Sequence, residues 1–292
     1  MARLTEAEVA RFHHDGYLLV ENAVTPETLA ALRADLAQWV GESRAHPVNW
    51  GETVDGRERF DLEAGHSAAE ARLRRVNNPA EISPAYERAI RDGPIPDLVA
   101  ALIGPDVAFH HCKINLKLPG TATRVGYHQD FSYTPHTNDD LVTVLLMLDD
   151  MTLANGCLKV VPGSQRDGQV SLWRDGVFTG ETAPEATDDY ERRAVAVTGR
   201  AGDACLMHTS LMHGSAPNDS AHPRGLFIAV YAAADAVPLA PSPLPNRFAG
   251  AIVRGRARHT ARLTVAEVEL PPPYRNTSFF EVQGQASAHA KG

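Results

Sequence analysis

The sequence has few cysteines and no long apolar run, and each shortage excludes a class of protein. Its 292 residues include three cysteines, Cys112, Cys157 and Cys205, at no paired spacing. Such a sparse, odd set predicts a reducing compartment and no disulfide framework. No apolar segment approaches the ~20 residues that span a bilayer, and the N-terminal residues form an amphipathic helix pattern without an apolar signal region. We therefore expect a cytoplasmic protein with no membrane partner.

Positive charge is also scarce. With 28 Lys and Arg against 36 Asp and Glu, the formal net charge is −8. Proteins that bind nucleic acids present a basic face, and binders of single strands add aromatic side chains along it. The sequence shows neither pattern, so we expect no nucleic-acid partner and disfavour a DNA- or RNA-repair enzyme. A chain of this length can bury one sizeable core, and we expect a single domain over 1–292.

The predicted helices come before most of the predicted strands. Helices are expected where capping residues precede apolar residues at helical spacing, over 5–15, from Thr25 to a stop at Gly41, from Ser83, and over 95–103. Strands are expected over 17–20, 72–78, 107–118, 141–148, 157–161, 194–197, 203–208 and 226–231. Residues 42–70 have no clear period and are predicted as a loop. Asn155-Gly156 is a tight-turn signal, so residues 157–161 are expected to form the returning strand.

This order of elements indicates an α+β fold. Helices followed by many short strands predict a central β-sandwich or barrel, and a double-sheet jelly roll fits the strand number. We divide the chain into a helical N-terminal part (1–104), a β-structured core (105–235) and a C-terminal extension (236–292).

The segment His128-Gln129-Asp130 carries the first chemical signal. Residues two apart on a strand point the same way, so His128 and Asp130 offer an imidazole and a carboxylate to one point. These are two of the three ligands in a two-histidine, one-carboxylate iron site. His213 is the best third ligand, because Gly214-Ser215 after it permits close backbone approach. His208 competes with His213 for this role.

Further motifs carry a family resemblance. His128-Gln129-Asp130, the run Asn155–Ser164 (NGCLKVVPGS), Gly202-Asp203, and Leu211–Ser215 with Arg224 resemble the phytanoyl-CoA dioxygenase family over roughly residues 5–235. That family consists of iron(II)- and 2-oxoglutarate-dependent oxygenases on a double-stranded β-helix, a jelly-roll and cupin-like fold. The resemblance implies His128, Asp130 and His213 as catalytic residues and metal ligands for Fe(II).

The resemblance also implies residues for the co-substrate 2-oxoglutarate. Arg224 and Ser215 are expected at its distal carboxylate, which a guanidinium can bind in bidentate fashion. Arg75 stands where the family often has a lysine that reaches the co-substrate. Cys112 falls near another co-substrate-lining position, and Asn115 on the same strand is expected to line the pocket.

The implied reaction is hydroxylation of a small organic molecule by O2, with release of succinate and CO2. Because Asp130 is present, a halogenase, in which a small residue replaces this ligand, is not expected. Another oxidation at the same site (desaturation, demethylation, epimerisation or cyclisation) and a non-catalytic metal-binding jelly-roll sensor are the alternatives.

Two lysines, a pair of histidines and an acidic segment also have interpretations from the sequence. Lys113 and Lys117 are predicted to face solvent, although Lys113 has the alternative of entering the site. His110 and His111 are expected to alternate across their strand, so that only one of them can line the pocket. The acidic segment Glu181–Glu191 would suit a cationic substrate if it closes over the pocket.

Overall fold

The computed structural model describes residues 3–121, 123–273 and 282–283, and its helices begin at capping residues. The helices are α1 (Glu6–Asp15), α2 (Pro26–Ser43), α3 (Pro84–Arg91), α4 (Ile95–Ile103) and α5 (Pro184–Arg193). Thr5 and Glu8 form a reciprocal capping box before α1, and the side chain of Ser83 accepts hydrogen bonds from the first amides of α3. Helix α2 continues two residues beyond the predicted stop at Gly41.

The strands fall into three antiparallel sheets. They are β1 (Tyr17–Val20), β2 (Trp50–Glu52), β3 (Glu58–Leu62), β4 (Leu73–Asn77), β5 (Val107–Lys117), β6 (Val125–His128), β7 (Leu141–Met147), β8 (Leu158–Val160), β9 (Trp173–Arg174), β10 (Val177–Phe178), β11 (Val195–Val197), β12 (Ala204–His208), β13 (His213–Ser215), β14 (Arg224–Ala233) and β15 (Ile252–Arg254). The large sheet has the order β1-β12-β7-β14-β5-β4-β3-β2, with β15 also paired to β5, and the small sheet has the order β11-β8-β13-β6. Strands β9 and β10 form a separate pair.

Strand β7 shows how the two sheets and the helices share the core. Its apolar run is buried on both faces, as the sequence predicts. Val144 and Leu146 join the cluster that the helices cover, whereas Leu145 and Met147 join a second cluster with residues of the small sheet. One face of the large sheet therefore packs on helices, and the other packs on the small sheet and encloses the space between them.

Two expectations about the chain are wrong. Residues 42–70 are not only a loop, because they contain β2 and β3, which extend the large sheet. With β1 and β4, which match the strands expected over 17–20 and 72–78, the N-terminal part contributes four strands to that sheet. The segment after Asn155-Gly156 does not return beside β7, because β8 pairs with β13 and β11 in the small sheet. Among the described residues, no helix combines the length and apolarity needed to cross a membrane.

Candidate metal and co-substrate site

Two short strands of the small sheet bring His128 and His213 together. His128 ends β6, His213 begins β13, and the two residues are direct partners in the antiparallel register. Asp130 lies in the turn that follows β6. Its Oδ1 atom is 3.6 Å from His128 Nε2 and 3.8 Å from His213 Nε2. One ligand atom from each residue lies within 4.8 Å of the others, in a group of three that could hold a metal ion.

Hydrogen bonds fix the outer atoms of this group. His128 Nδ1 lies 2.8 Å from the Gly126 carbonyl oxygen, and His213 Nδ1 lies 3.0 Å from that of Leu211. A carbonyl only accepts, so each Nδ1 carries the ring proton and each Nε2 offers a lone pair. Thr143 Oγ1 donates to Asp130 Oδ2 at 2.7 Å. Such outer contacts orient the ligands of protein metal sites.

The protonation states also suit a cation. Burial, with His128 as the next contribution, lowers the pKa of His213 to about 4, so its imidazole is neutral near pH 7. Burial alone would raise the pKa of Asp130, but His213, His128 and Lys113 outweigh it and hold that pKa below its usual range. Metals bind neutral imidazole and ionised carboxylate, so the three side chains fit a divalent ion such as iron(II).

A cavity between the two sheets extends from this group, and we call it the inner cavity. Its walls include His128, Asp130 and His213 near the group and, on β5 and β14, Asn115, Lys117 and Arg224. Ser215 of β13 also lines it. The predicted residues Arg224, Ser215 and Asn115 thus share one cavity with the three predicted metal ligands.

Two buried basic side chains line the inner cavity. Arg224 is 3% exposed and Lys117 is 2% exposed. Arg224 Nε donates to the Gly156 carbonyl at 3.2 Å, and Lys117 Nζ donates to Ser215 Oγ at 2.8 Å and to the Ala216 carbonyl. Within the described part of the chain, neither side chain forms an ion pair with a carboxylate. The Arg224 guanidinium is a buried charge, and buried charges are normally compensated, so this part of the cavity suits an anionic ligand.

A second cavity, which we call the outer cavity, meets the inner one at Asp130 and Lys113, since both residues line both cavities. Its walls come from β3, β4, β5 and β14 and from segments outside the strands, and they include Arg57, Arg75 and His111. Arg57 pairs with Asp55 at 2.7 Å. The outer cavity therefore has mixed charge and leads to the candidate metal group.

Two predicted co-substrate residues lie elsewhere. Arg75 lines the outer cavity. Its Nε donates a hydrogen bond at 3.1 Å to Oδ1 of Asn115, which is a residue of the inner cavity. Cys112 is 1% exposed and packs in the cluster between the large sheet and the helices. It lines neither cavity. His208, the competitor of His213, lies at the end of β12, 3.8 Å from Asp139, and is not part of the group.

The sequence interpretation missed two residues of the site, Lys117 and Thr143. The prediction that Lys117 faces solvent is wrong, because it lines the inner cavity. Lys113 lines the same cavity, which agrees with its alternative of entering the site and not with exposure to solvent. Alternation from Asn115 places these lysines on the same side of β5, so the signal was present. Thr143 carries no comparable signal, since it lies inside an apolar run.

The acidic segment does not reach either cavity. Glu181 pairs with Arg124 at 2.8 Å, and Asp189 pairs with Arg192 at 2.9 Å. Glu191 accepts a hydrogen bond from Tyr127 at 2.7 Å. These carboxylates therefore contact other parts of the protein, and the structure gives no support to their recognition of a cationic substrate.

The chain is similar to a known family and to characterised enzymes. The model of the phytanoyl-CoA dioxygenase (PhyH) family matches residues 12–226. A protein of Stutzerimonas stutzeri named a probable alpha-ketoglutarate-dependent hypophosphite dioxygenase is 33% identical over 276 residues, which cover 91% of this chain and 92% of that protein. The ectoine dioxygenase of Nocardia farcinica is 28% identical, over 77% of this chain and 76% of that enzyme.

A solved structure shares the fold. The crystal structure of EctD from S. alaskensis with bound Fe superposes with a TM-score of 0.66 at 22% identity, and the match covers 87% of this chain and 88% of that one. At this identity the likeness concerns the fold.

Proposed function

The chain belongs to the phytanoyl-CoA dioxygenase family, and from this premise we propose that His128, Asp130 and His213 hold the iron(II) of a 2-oxoglutarate-dependent dioxygenase. One observation carries the proposal. The three converging ligand atoms lie on a cavity that also contains Arg224 and Lys117, two buried basic side chains without carboxylate partners among the described residues. A metal at the group and a dicarboxylate in the cavity would satisfy both.

The inner cavity would hold 2-oxoglutarate. Arg224 and Lys117 would bind its distal carboxylate, with the Ser215 hydroxyl beside them. Arg224 is fixed by its bond to Gly156, which leaves its terminal N–H groups for the ligand. In a site of low polarity, a guanidinium with a neighbouring ammonium binds a carboxylate strongly. Asn115 lines the same cavity and, through its hydrogen bond to Arg75, links the co-substrate to the outer cavity.

When bound, iron(II) and 2-oxoglutarate supply the oxidising power, so that O2 provides one oxygen atom to succinate, formed with CO2, and one to the substrate. The protein's own residues bind, orient and exclude water. Thr143 orients Asp130 through its hydrogen bond to Oδ2. The apolar residues Leu145, Leu226 and Ile228 line the inner cavity and limit water there.

The substrate would enter the outer cavity, and we expect a small anion. Arg57 is paired with Asp55, and the carboxylates of Glu58 and Asp61 also line the cavity, so Arg75 and Lys113 are the cations that we propose to bind it. Lys113 lies beside Asp130 at the junction with the inner cavity. The relative named as a hypophosphite dioxygenase covers nearly the whole chain, so hypophosphite is the first compound to test. Oxygen transfer to a P–H bond would convert it to phosphite. Ectoine, named for other relatives, is the comparison compound.

The domain and its fold are part of the same proposal. Residues 1–292 would form a single oxygenase domain, and the two facing antiparallel sheets would be the halves of a double-stranded β-helix. In support, the small sheet carries two of the candidate metal ligands, and both sheets line the inner cavity. No partner beyond the small molecules is needed for this activity.

The first experiment tests the metal and co-substrate sites without a substrate. The metal-free protein is titrated anaerobically with iron(II) and then with 2-oxoglutarate, and the weak visible charge-transfer band of the chelate is recorded. We expect the band in the native protein and in His208→Ala, which removes a histidine outside the group, but not in His213→Ala. A band that survives in His213→Ala would refute the ligand assignment.

The second experiment tests turnover. Succinate formation is measured under air with hypophosphite, with ectoine and without either compound, and the products are identified by mass. Hypophosphite should raise succinate formation above the substrate-free rate and yield phosphite in equal amount. Stimulation by ectoine alone would reject the anionic substrate, and no 2-oxoglutarate consumption in folded, iron-loaded protein would favour a binding function.

A further inference from the structure

Two adjacent histidines contact each other beside the outer cavity. His110 and His111 are 7% and 3% exposed. Their Nδ1 atoms are 2.6 Å apart, and their ring centroids are separated by 4.9 Å. Neighbouring residues on a regular strand point to opposite faces, so this contact requires an irregularity in β5.

A β-bulge provides that irregularity. In the pairing of β5 with β14, Val230 is opposite His111 and Tyr231 is opposite Phe109, so His110 is an extra residue. The burial pattern agrees, because Phe109 and Cys112 both belong to the core under the helices, with two residues between them instead of one. The expected alternation of His110 and His111 is therefore wrong. Bulges occur often next to active sites, where they redirect a side chain.

A third buried histidine packs against His110 of this pair. His136 is 1% exposed, and its ring centroid lies 5.2 Å from that of His110. His136 Nδ1 donates to the Thr134 carbonyl at 2.8 Å, which fixes the orientation of its ring. His110 is also held through its own carbonyl, which accepts a hydrogen bond from Asn246 at 2.9 Å. The pair thus lies on a rigid support.

The contact couples the tautomers of the two rings. Burial lowers the pKa of His110 to about 3 and that of His111 well below its usual value, so both rings are neutral near pH 7. A neutral imidazole has one N–H and one lone pair. One Nδ1 must therefore donate and the other accept, and the choice at His110 determines whether His111 Nε2 is a donor or an acceptor.

We propose that His111 binds the substrate through Nε2 in a single tautomer that His110 sets, which makes His111 a specificity residue and His110 a positioning residue. His111 lines the outer cavity together with Asp130 and Lys113, and its Nδ1 is already occupied by His110. Its Nε2 is then the ring nitrogen left for a polar substrate atom, in a cavity that Arg75 and Lys113 also line. This inference rests on the proposed function for the role of the outer cavity.

Substitutions with amide side chains test the roles of the two ring nitrogens of His111 separately. In His111→Asn the amide occupies the region of Nδ1, so the contact with His110 is kept and Nε2 is lost. In His111→Gln the amide reaches the region of Nε2. With hypophosphite as probe, we expect His111→Asn to raise the KM for hypophosphite about tenfold, the loss of one hydrogen bond, and His111→Gln to recover most of it. The KM for 2-oxoglutarate should stay unchanged in both variants, and His208→Asn is the matched control.

The positioning role of His110 has its own kinetic test. His110→Asn keeps a polar partner at Nδ1 and should retain the native KM for hypophosphite, whereas His110→Ala should raise it several-fold. An unchanged KM in both His111→Asn and His110→Ala, with native turnover intact, would overturn the inference. Loss of 2-oxoglutarate binding in His111→Asn would assign His111 to the co-substrate in the inner cavity, and this result would also overturn the inference.

A turnover-independent measurement separates this inference from the proposed function. The ring nitrogens of ¹⁵N-histidine-labelled, metal-free protein are observed by NMR, with the His110→Asn and His111→Asn variants for assignment. We expect one protonated and one unprotonated nitrogen for His111, and a change of that pattern in His110→Ala. Averaged nitrogen shifts in the native protein would refute the coupling. If the native enzyme consumes no 2-oxoglutarate, the proposed function fails while the NMR result still decides the tautomer.

Discussion

The inner and outer cavities share Asp130 and Lys113 but are built from different kinds of structure. Apart from Asp130, which follows β6, every residue that lines the inner cavity belongs to a strand of the two main sheets. More than half of the residues that line the outer cavity come from segments between or beyond the strands, such as Thr53–Arg57 and Pro243–Pro245. Backbone pairing holds strand residues more precisely than loop residues.

Under the proposed function, this difference corresponds to two separate roles. The inner cavity would carry the part of the reaction that needs fixed geometry, which is the metal group and the anchoring of a dicarboxylate. The outer cavity would carry substrate recognition, and its loop segments could vary without disturbing the sheets. Residues at the junction should affect both processes, and residues within one cavity should affect only one.

The largest effect is expected at the junction. Asp130→Ala should reduce substrate-coupled succinate formation by about 10³-fold or more, because it removes a metal ligand worth several kcal/mol to the reaction. It should also weaken iron(II) binding in the titration. Asp139→Ala is the control, since Asp139 is a half-exposed carboxylate near His208 that lies outside the group. Native-like turnover in Asp130→Ala would show that the carboxylate is not a ligand.

The two arginines test the separation of the cavities. Arg224→Leu should raise the KM for 2-oxoglutarate about 10²-fold, because a buried, charge-assisted contact to the carboxylate is lost. Arg75→Leu should raise the KM for the substrate and leave that for 2-oxoglutarate within about twofold, since Arg75 lines the outer cavity and contacts the inner one through its hydrogen bond to Asn115. Lysine variants at both positions control for folding.

The arginine test also evaluates a prediction from the sequence. The family resemblance assigns Arg75 to the co-substrate, whereas the structure places it on the outer cavity. If Arg75→Leu raises the KM for 2-oxoglutarate and not that for the substrate, the prediction is right. In that case a residue of the outer cavity would serve the co-substrate, and the two cavities would not have separate ligands.

The sequence predicted well what depends on local signals. The capping box at Thr5 and Glu8 and the start of α3 after Ser83 are local, and the structure has both. The tight turn at Gly156 is real too, with φ of +72°. A Cβ at Gly156 would lie 2.4 Å from the Ala216 carbonyl oxygen, so the position requires glycine. The strand after the turn nevertheless does not return beside β7 as expected, because the pairing partners of a strand depend on long-range packing.

The site shows the same limit. His128, Asp130 and His213 could be selected because their side chains are typical of one metal chemistry. The strands that carry the histidines, β6 and β13, have four and three residues and are too short to show a period. Lys117 was assigned to solvent because lysine is usually exposed. It is buried here because Arg224 and Ser215 on two other strands lie around the same cavity.

An intermediate effect is expected at the support of the metal group. Thr143→Val removes the hydrogen bond to Asp130 Oδ2 with almost no change of volume, and it should weaken iron(II) binding about 10- to 100-fold. Thr209→Val is the matched control, because Thr209 is fully buried and its hydroxyl has no hydrogen-bond partner. That variant should bind iron(II) like the native protein. Equal binding in both variants would remove Thr143 from the site.

The smallest effect concerns a proton in the inner cavity. Burial, and then the charge of Arg224, lowers the pKa of Lys117 to about 6, so this amine is mostly neutral at pH 7.5 before the co-substrate binds. Both carboxylates of 2-oxoglutarate are ionised there, and their charge raises the pKa of Lys117 in the complex. Binding should therefore take up as much as one proton, and affinity should be greatest below pH 6 and fall as pH rises, by at most about tenfold per unit.

Calorimetry in two buffers of different ionisation enthalpy measures this proton uptake directly. Lys117→Met should abolish both the uptake and the pH dependence and lower the affinity for 2-oxoglutarate at pH 6 more than at pH 8. Lys159→Met, which removes a lysine that pairs with Glu191 and lines neither cavity, should leave all three unchanged. Undiminished proton uptake in Lys117→Met would place the titrating group elsewhere and would leave Arg224 as the cation that anchors the distal carboxylate.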